Sequence, residues 1–247
     1  MIELQQLSKA YNKGQVQAVR NLTLVVRKGE LFGFLGPNGA GKTTTIKMAV
    51  GLLRPDTGRV LLDGIDARAD PLRAKAILGY CPDEPALYDK MTGIRFLSFI
   101  ADVFGVPGEA RAARIQRLVE TFELKEALGE IIASYSHGMR QKLSVISALL
   151  HDPDILILDE PIVGLDPRAA YTLKETMRDL CRQGKTVFFS THIMEVAERL
   201  CDRVGIISRG ELLAAAPLEE LRRKAGEESA TLEKLFLEMT DENAHPR

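Results

Sequence analysis

Three short stretches of the sequence carry residues suited to handling phosphate. Gly36-Pro37-Asn38-Gly39-Ala40-Gly41-Lys42-Thr43 has the spacing GxxxxGK[ST] and directly follows the apolar run Leu31 to Leu35. Its glycines let the backbone curl until successive N–H groups and a helix N-terminus point at one anion. Lys42 adds a full positive charge and Thr43 offers a hydroxyl to Mg2+, so the stretch reads as a cradle for the phosphates of a nucleotide. A glycine-rich turn that bound nothing would leave Lys42 buried without a partner.

The second stretch, Ile155-Leu156-Ile157-Leu158-Asp159-Glu160, runs four apolar residues into two carboxylates. That pattern puts both acids at the carboxyl end of a buried strand, where open α/β sheets place their ligands. Asp159 is positioned to hold Mg2+, and Glu160 to orient and deprotonate an attacking water. The third stretch is Tyr135-Ser136-His137-Gly138-Met139-Arg140-Gln141, ahead of a helical segment. Ser136 beside Gly138 at a helix start is first of all a cap. The same geometry suits a γ-phosphate, because the hydroxyl and free N–H groups face one point.

With these elements in this order, the sequence resembles the ABC ATPase family over nearly its whole length. There the third stretch is the signature motif, usually LSGGQ; this chain keeps Ser136 and Gly138 but has His137 and Met139 where Gly and Gln usually stand. The resemblance assigns Tyr11 to stacking on adenine, Gly164-Leu165-Asp166 to the D-loop that reaches the partner subunit, and His192 to a γ-phosphate contact. It makes Glu160, His192 and Lys42 the catalytic set. Asp83, in Gly79-Tyr80-Cys81-Pro82-Asp83-Glu84, stands where the family's Q-loop carries a Mg2+-ligating glutamine. Asp83 is one carbon shorter than Gln, and Glu84 could take the role by reaching further.

The resemblance also implies a fold: a P-loop NTPase (RecA-like) core with a mostly parallel sheet, an N-terminal antiparallel β-subdomain and an inserted α-helical subdomain over approximately 84–151. On that division residues 1–224 form the ATPase domain, and 225–247 a short helix and polar tail. The cofactors are ATP and Mg2+. No obvious arginine finger is visible, and each motif occurs once, so two composite sites require a second copy of the domain. The implied assembly is a homodimer docked on a separate membrane permease of the exporter type, at the inner face of the cell membrane.

The elements that must position these residues are legible in outline. Strands are expected at Glu3 to Leu7, Asn21 to Val26, Leu31 to Leu35 and Val60 to Leu62, with turns at Arg27 to Glu30 and Asp63-Gly64. Helical spacing then takes over between Thr92 and Leu150: Thr92 is a candidate N-cap, and Ile115, Leu118, Val119 and Phe122 recur on one face. Beyond it, the buried-type strands Ile155 to Leu158, Val187 to Ser190 and Val204 to Ile207 alternate with helices, one opened by Asp166-Pro167 and closed near Gly184. Alternation of this kind predicts an α/β fold whose sheet is mostly parallel. Leu232 to Met239 reads as a short amphipathic segment before a polar tail.

Composition narrows the function classes. The 247 residues carry 33 Lys+Arg against 34 Asp+Glu, a net charge of −1, which leaves no excess of positive charge for tracking a nucleic acid. Basic clusters such as Arg111, Arg114 and Arg117 read as solvated helix faces. Cys81, Cys181 and Cys201 form no CxxC pair and fit reduced thiols in the cytoplasm. No secretory leader is expected at Met1, and no apolar run approaches the roughly 20 residues that cross a bilayer. A DNA-repair or translation ATPase of the same type would add coiled coils or a second nucleotide domain, and a P-loop kinase or GTPase would need neither signature element nor D-loop.

Overall fold

The computed structural model describes residues 1–226 and 230–242. The chain opens with β1 (Ile2–Tyr11), β2 (Val16–Val26), β3 (Leu31–Leu35), α1 (Lys42–Ala49), β4 (Thr57–Leu62) and β5 (Ile65–Asp66). There follow α2 (Pro71–Ala76), β6 (Leu78–Cys81), α3 (Gly93–Val103), α4 (Gly108–Thr121) and α5 (His137–Leu149). The last part holds β7 (Ile155–Leu158), α6 (Pro167–Arg182), β8 (Thr186–Thr191), α7 (Met194–Leu200), β9 (Arg203–Ser208), β10 (Glu211–Ala216), α8 (Leu218–Ala225) and α9 (Leu232–Glu242).

Two sheets result. β2-β1-β4-β5 is an antiparallel four-stranded sheet, and β10-β9-β3-β8-β7-β6 is a six-stranded one in which only β10 runs antiparallel to its neighbour. The period of two along the large sheet's strands decides which layer each side chain joins. Phe32, Phe34, Ile155, Ile157 and Phe188 pack toward α1 and the small sheet, while Leu31, Leu156, Leu158, Val187 and Phe189 pack toward α3–α6. α7–α9 cover a third cluster built on Leu35, Val204 and Ile206.

The α/β class, the antiparallel N-terminal sheet and the parallel central sheet are as expected, and β3 and β7 have the expected limits. Thr92 caps α3, accepting from Arg95 N at 3.4 Å, and Asp166 caps α6, accepting from Ala169 N at 2.8 Å. Ile115, Leu118, Val119 and Phe122 are all buried. Other edges moved. β1 continues to Tyr11 and β2 begins at Val16, because register shifts after Leu4 and Leu7 break the alternation that marks a strand in sequence. β6 and β10 were not legible: the first is four residues with a glycine, the second ends in three alanines. The amphipathic segment at Leu232 is α9, and the expected polar tail runs on into residues 243–247, which lie outside the described residues.

Candidate functional site

The large sheet brings the motifs together. β3, β8 and β7 are adjacent and parallel, so the loops after Leu35, Thr191 and Leu158 emerge side by side at one edge. Those loops carry Gly36–Gly41, His192 and Asp159-Glu160.

The glycine-rich loop needs its glycines for two reasons. Gly39 and Gly41 have φ of 80° and 107°, a region unfavourable to residues with a Cβ. A Cβ at Gly36 would lie 2.5 Å from Ile207 O, and one at Gly41 would overlap Ala18 O. Lys42 is buried, contrary to the expectation that it would lack a partner: its Nζ donates to Gly36 O at 2.7 Å and Pro37 O at 3.4 Å, and lies 3.3 Å from Glu160 Oε1. The loop's own carbonyls and the catalytic acid candidate hold the ammonium.

Glu160 stands at φ 46°, an uncommon value for a residue with a side chain, in the turn after β7. Its Oε2 is 3.0 Å from His192 Nδ1. Its Oε1 is buried and has no hydrogen-bond donor, since the approach of Lys42 is that of an ion pair only. The backbone of Glu160 is held from below: its N–H donates to Ser190 Oγ at 2.9 Å, and Ser190 Oγ donates to Asp159 Oδ1 at 2.5 Å. Ser190 is therefore the support of both acids, a role sequence reasoning missed. Only the pairing of β7 with β8, Leu158 opposite Phe189, shows that Ser190 sits beside Asp159.

A hollow of about 180 Å3 faces this group, lined by Pro37, Asn38, Gly39, Gly41, Lys42, Thr43 and Thr44 together with Ala18, Asp83 and Glu160. Asp83 thus does reach the phosphate loop. Partial burial pushes its carboxyl pKa above the usual value, with the charges of Asp159, Glu160 and Glu84 adding to the rise and His137 opposing it. Beside it, Cys81 is fully buried and its thiol is pushed up to about 12, chiefly by desolvation, which makes it packing rather than a nucleophile.

Of the expected site residues, Gly36, Ala40, Asp159 and His192 do not line the hollow, nor do Tyr11, Ser136 and Gly138. Tyr11 is at the end of β1 and 39% exposed. Ser136 caps α5, accepting from Met139 N at 3.3 Å, and with Gly138 it lies on a separate loop. That loop packs against Gly164, not against the phosphate cradle of the same chain.

The residues present fit a nucleotide and its metal. Gly36 and Gly41 let the loop pack tightly on Ile207 and Ala18, Lys42 supplies a cation in the wall of the hollow, and Glu160, whose Oε1 is buried without a hydrogen-bond donor, lines the same hollow. Among the described residues no three or more His, Cys, Asp or Glu side chains cluster to hold a metal ion. Thr43 lines the hollow, whereas Asp159 is 1% exposed behind it with Oδ1 bound by Ser190; so few protein oxygens are compatible with Mg2+, an ion that keeps waters and phosphate oxygens as most of its ligands.

Comparison with known proteins agrees with this geometry. The model of the ABC transporter family matches residues 19–163. The ABC transporter ATP-binding protein NatA of Bacillus subtilis is 38% identical over 240 residues, covering 96% of this chain and 97% of that protein. A solved ATP-binding subunit of an ABC transporter superposes with a TM-score of 0.92 at 34% identity, covering 97% and 99% of the two chains. A dimeric bacterial ABC transporter cassette gives 0.81 at 26% identity, covering 88% and 99%. With a family match across more than half of the 247 residues and near-complete overlap with such relatives, this chain belongs to the ABC transporter family as an ATP-binding protein.

Proposed function

We propose that this ATP-binding, ATP-hydrolysing ABC transporter subunit uses Glu160 as the general base and works as a head-to-tail homodimer. Gly36 to Thr44 bind the phosphates, with Lys42 as their cation. Thr43, Asp159 and Asp83 would hold Mg2+. The metal would supply charge neutralisation at the phosphate oxygens. Glu160 Oε1 takes a proton from the attacking water, and His192, hydrogen-bonded to Oε2, fixes the carboxylate and presents its other nitrogen to the γ-phosphate. Ser136 and Gly138 cap the nucleotide of the second copy, and Tyr11 stacks on adenine at the mouth of the site.

The observation that carries this reading is the placement of Glu160: one oxygen held by His192, the other buried beside Lys42 and lacking a donor, at the wall of the phosphate hollow. The separation of Ser136 and Gly138 from that hollow supports a site completed by another chain, as does the dimeric state of the similar bacterial cassette. No helix of the described residues is long and apolar enough to cross a membrane. Membership of a transporter family supports a membrane path on a separate permease, with this chain bound at the cytoplasmic face and driving export. Positively charged surface for nucleic acid is not in excess, at a net charge of −1.

Loss of a positioned base costs roughly 10²–10⁴-fold in rate, about 3–5 kcal/mol of barrier, and leaves the phosphate-binding groups in place. Steady-state hydrolysis of Mg-ATP by the Glu160→Gln variant should fall by that factor. A wild-type rate would remove Glu160 from the role of base.

A further inference from the structure

The loop that offers Ser136 and Gly138 to a second copy is fastened to the segment that follows Glu160 in its own chain. Three contacts do this, made by His137, Gln141 and Lys142 in the first two turns of α5. At the tip, the His137 ring lies against Gly164: a methyl at Gly164 would overlap Nδ1 and Cε1, and one at Gly138 would come within 3.1 Å of Gly164 O. One turn on, Gln141 Nε2 donates to Pro161 O at 3.4 Å, in the interior. Beside it, Lys142 Nζ is 2.9 Å from Asp166 Oδ2, and Asp166 Oδ1 caps α6. The segment itself is wound tightly onto Glu160, whose carbonyl accepts from Val163 N at 3.2 Å. Gly164, at φ 81°, is the one residue type that tolerates both this backbone and the imidazole above it.

We propose that His137 is a positioning residue: it wedges the Ser136–Gly138 loop against Gly164, so that movement of Glu160 in one site resets the loop offered to the nucleotide of the other. This rests on the dimer reading above. Gly is the residue that usually stands at this position in the family's signature motif, and a glycine has no side chain to reach Gly164. The wedge is steric, so a planar side chain of similar reach preserves it.

The test is the dependence of hydrolysis rate on Mg-ATP concentration for the full chain, in wild type, His137→Gly and His137→Asn, with melting temperature recorded for each. Coupled sites give a Hill coefficient that approaches about 2, the number of sites. His137→Gly should lower it toward about 1 with KM raised more than kcat is lowered and the melting temperature held, and His137→Asn should restore it. Amide exchange at Val163 to Leu165 should speed up in His137→Gly alone. Wild-type cooperativity near 1, or cooperativity unchanged in His137→Gly, overturns the wedge. Light scattering of Glu160→Gln with ATP separates the two readings: a dimer there with no effect of His137→Gly defeats the wedge alone, and a monomer defeats the dimer and the wedge together.

Discussion

His192 Nδ1 sits 3.0 Å from Glu160 Oε2 across the ends of two neighbouring strands, β8 and β7. An ionised carboxylate only accepts, so Nδ1 carries the hydrogen and Nε2 is left for another group. The bond holds the base at one oxygen and leaves the other to the water. His192→Ala should therefore lower kcat by about 10²-fold, the usual loss for one preorganised polar contact at a reacting centre, while KM for ATP changes little. A large rise in KM with kcat unchanged would make His192 a binding group instead.

Lys42 is prepared for phosphate by carbonyls that cannot follow it. Its bond to Gly36 O and its approach to Glu160 keep the ammonium in place, 7% exposed, at the floor of the hollow. Lys42→Ala should abolish the stabilisation that nucleotide confers, which for wild type at 100-fold excess over Kd is about 2.7 kcal/mol. Thermal melts with and without Mg-ATP read this directly; a variant that still shifts with nucleotide would contradict the assignment.

Ser190 links the two acids from below and is fully buried. Ser190→Ala leaves Glu160 N and Asp159 Oδ1 without that partner, and a buried polar group left unpaired costs about 1–3 kcal/mol. Urea unfolding of the nucleotide-free protein should show a loss in this range. Equal midpoints for the two proteins would mean the hydroxyl does not support the turn.

His151 lies away from this site, stacked on Phe104 at 3.7 Å, with Nε2 3.1 Å from Leu78 O and Nδ1 buried without a partner. Desolvation is the largest cause of a pKa lowered to about 4 from the ordinary 6.5. The sign follows from linkage: between these values the unfolded chain binds a proton that the folded one refuses. This histidine therefore costs nothing above about pH 6.5 and destabilises progressively as pH falls toward 4. His151→Gln should flatten the stability profile in that window, and an identical slope in both proteins would place the acid sensitivity elsewhere.

How much of this is legible in the sequence depends on what each feature is made of. The phosphate loop, the acids after β7 and the caps Thr92, Ser136 and Asp166 are local patterns, and their residue types carry their geometry. Ser190 under Asp159, Ala18 under Gly41 and His137 on Gly164 join residues far apart in the chain. These depend on strand order and register, which no local pattern encodes. Lys42 shows the opposite error: its burial was legible, but its partners are carbonyls of its own loop.

On this mechanism, ATP held at Gly36 to Thr44 is capped by a second copy and cleaved with Glu160 as base. Light scattering of the Glu160→Gln variant with Mg-ATP tests it most directly. The variant should form a particle of twice the 27.3 kDa chain that persists while ATP is bound and returns to single chains when nucleotide is removed. A particle of one chain at saturating ATP would contradict it.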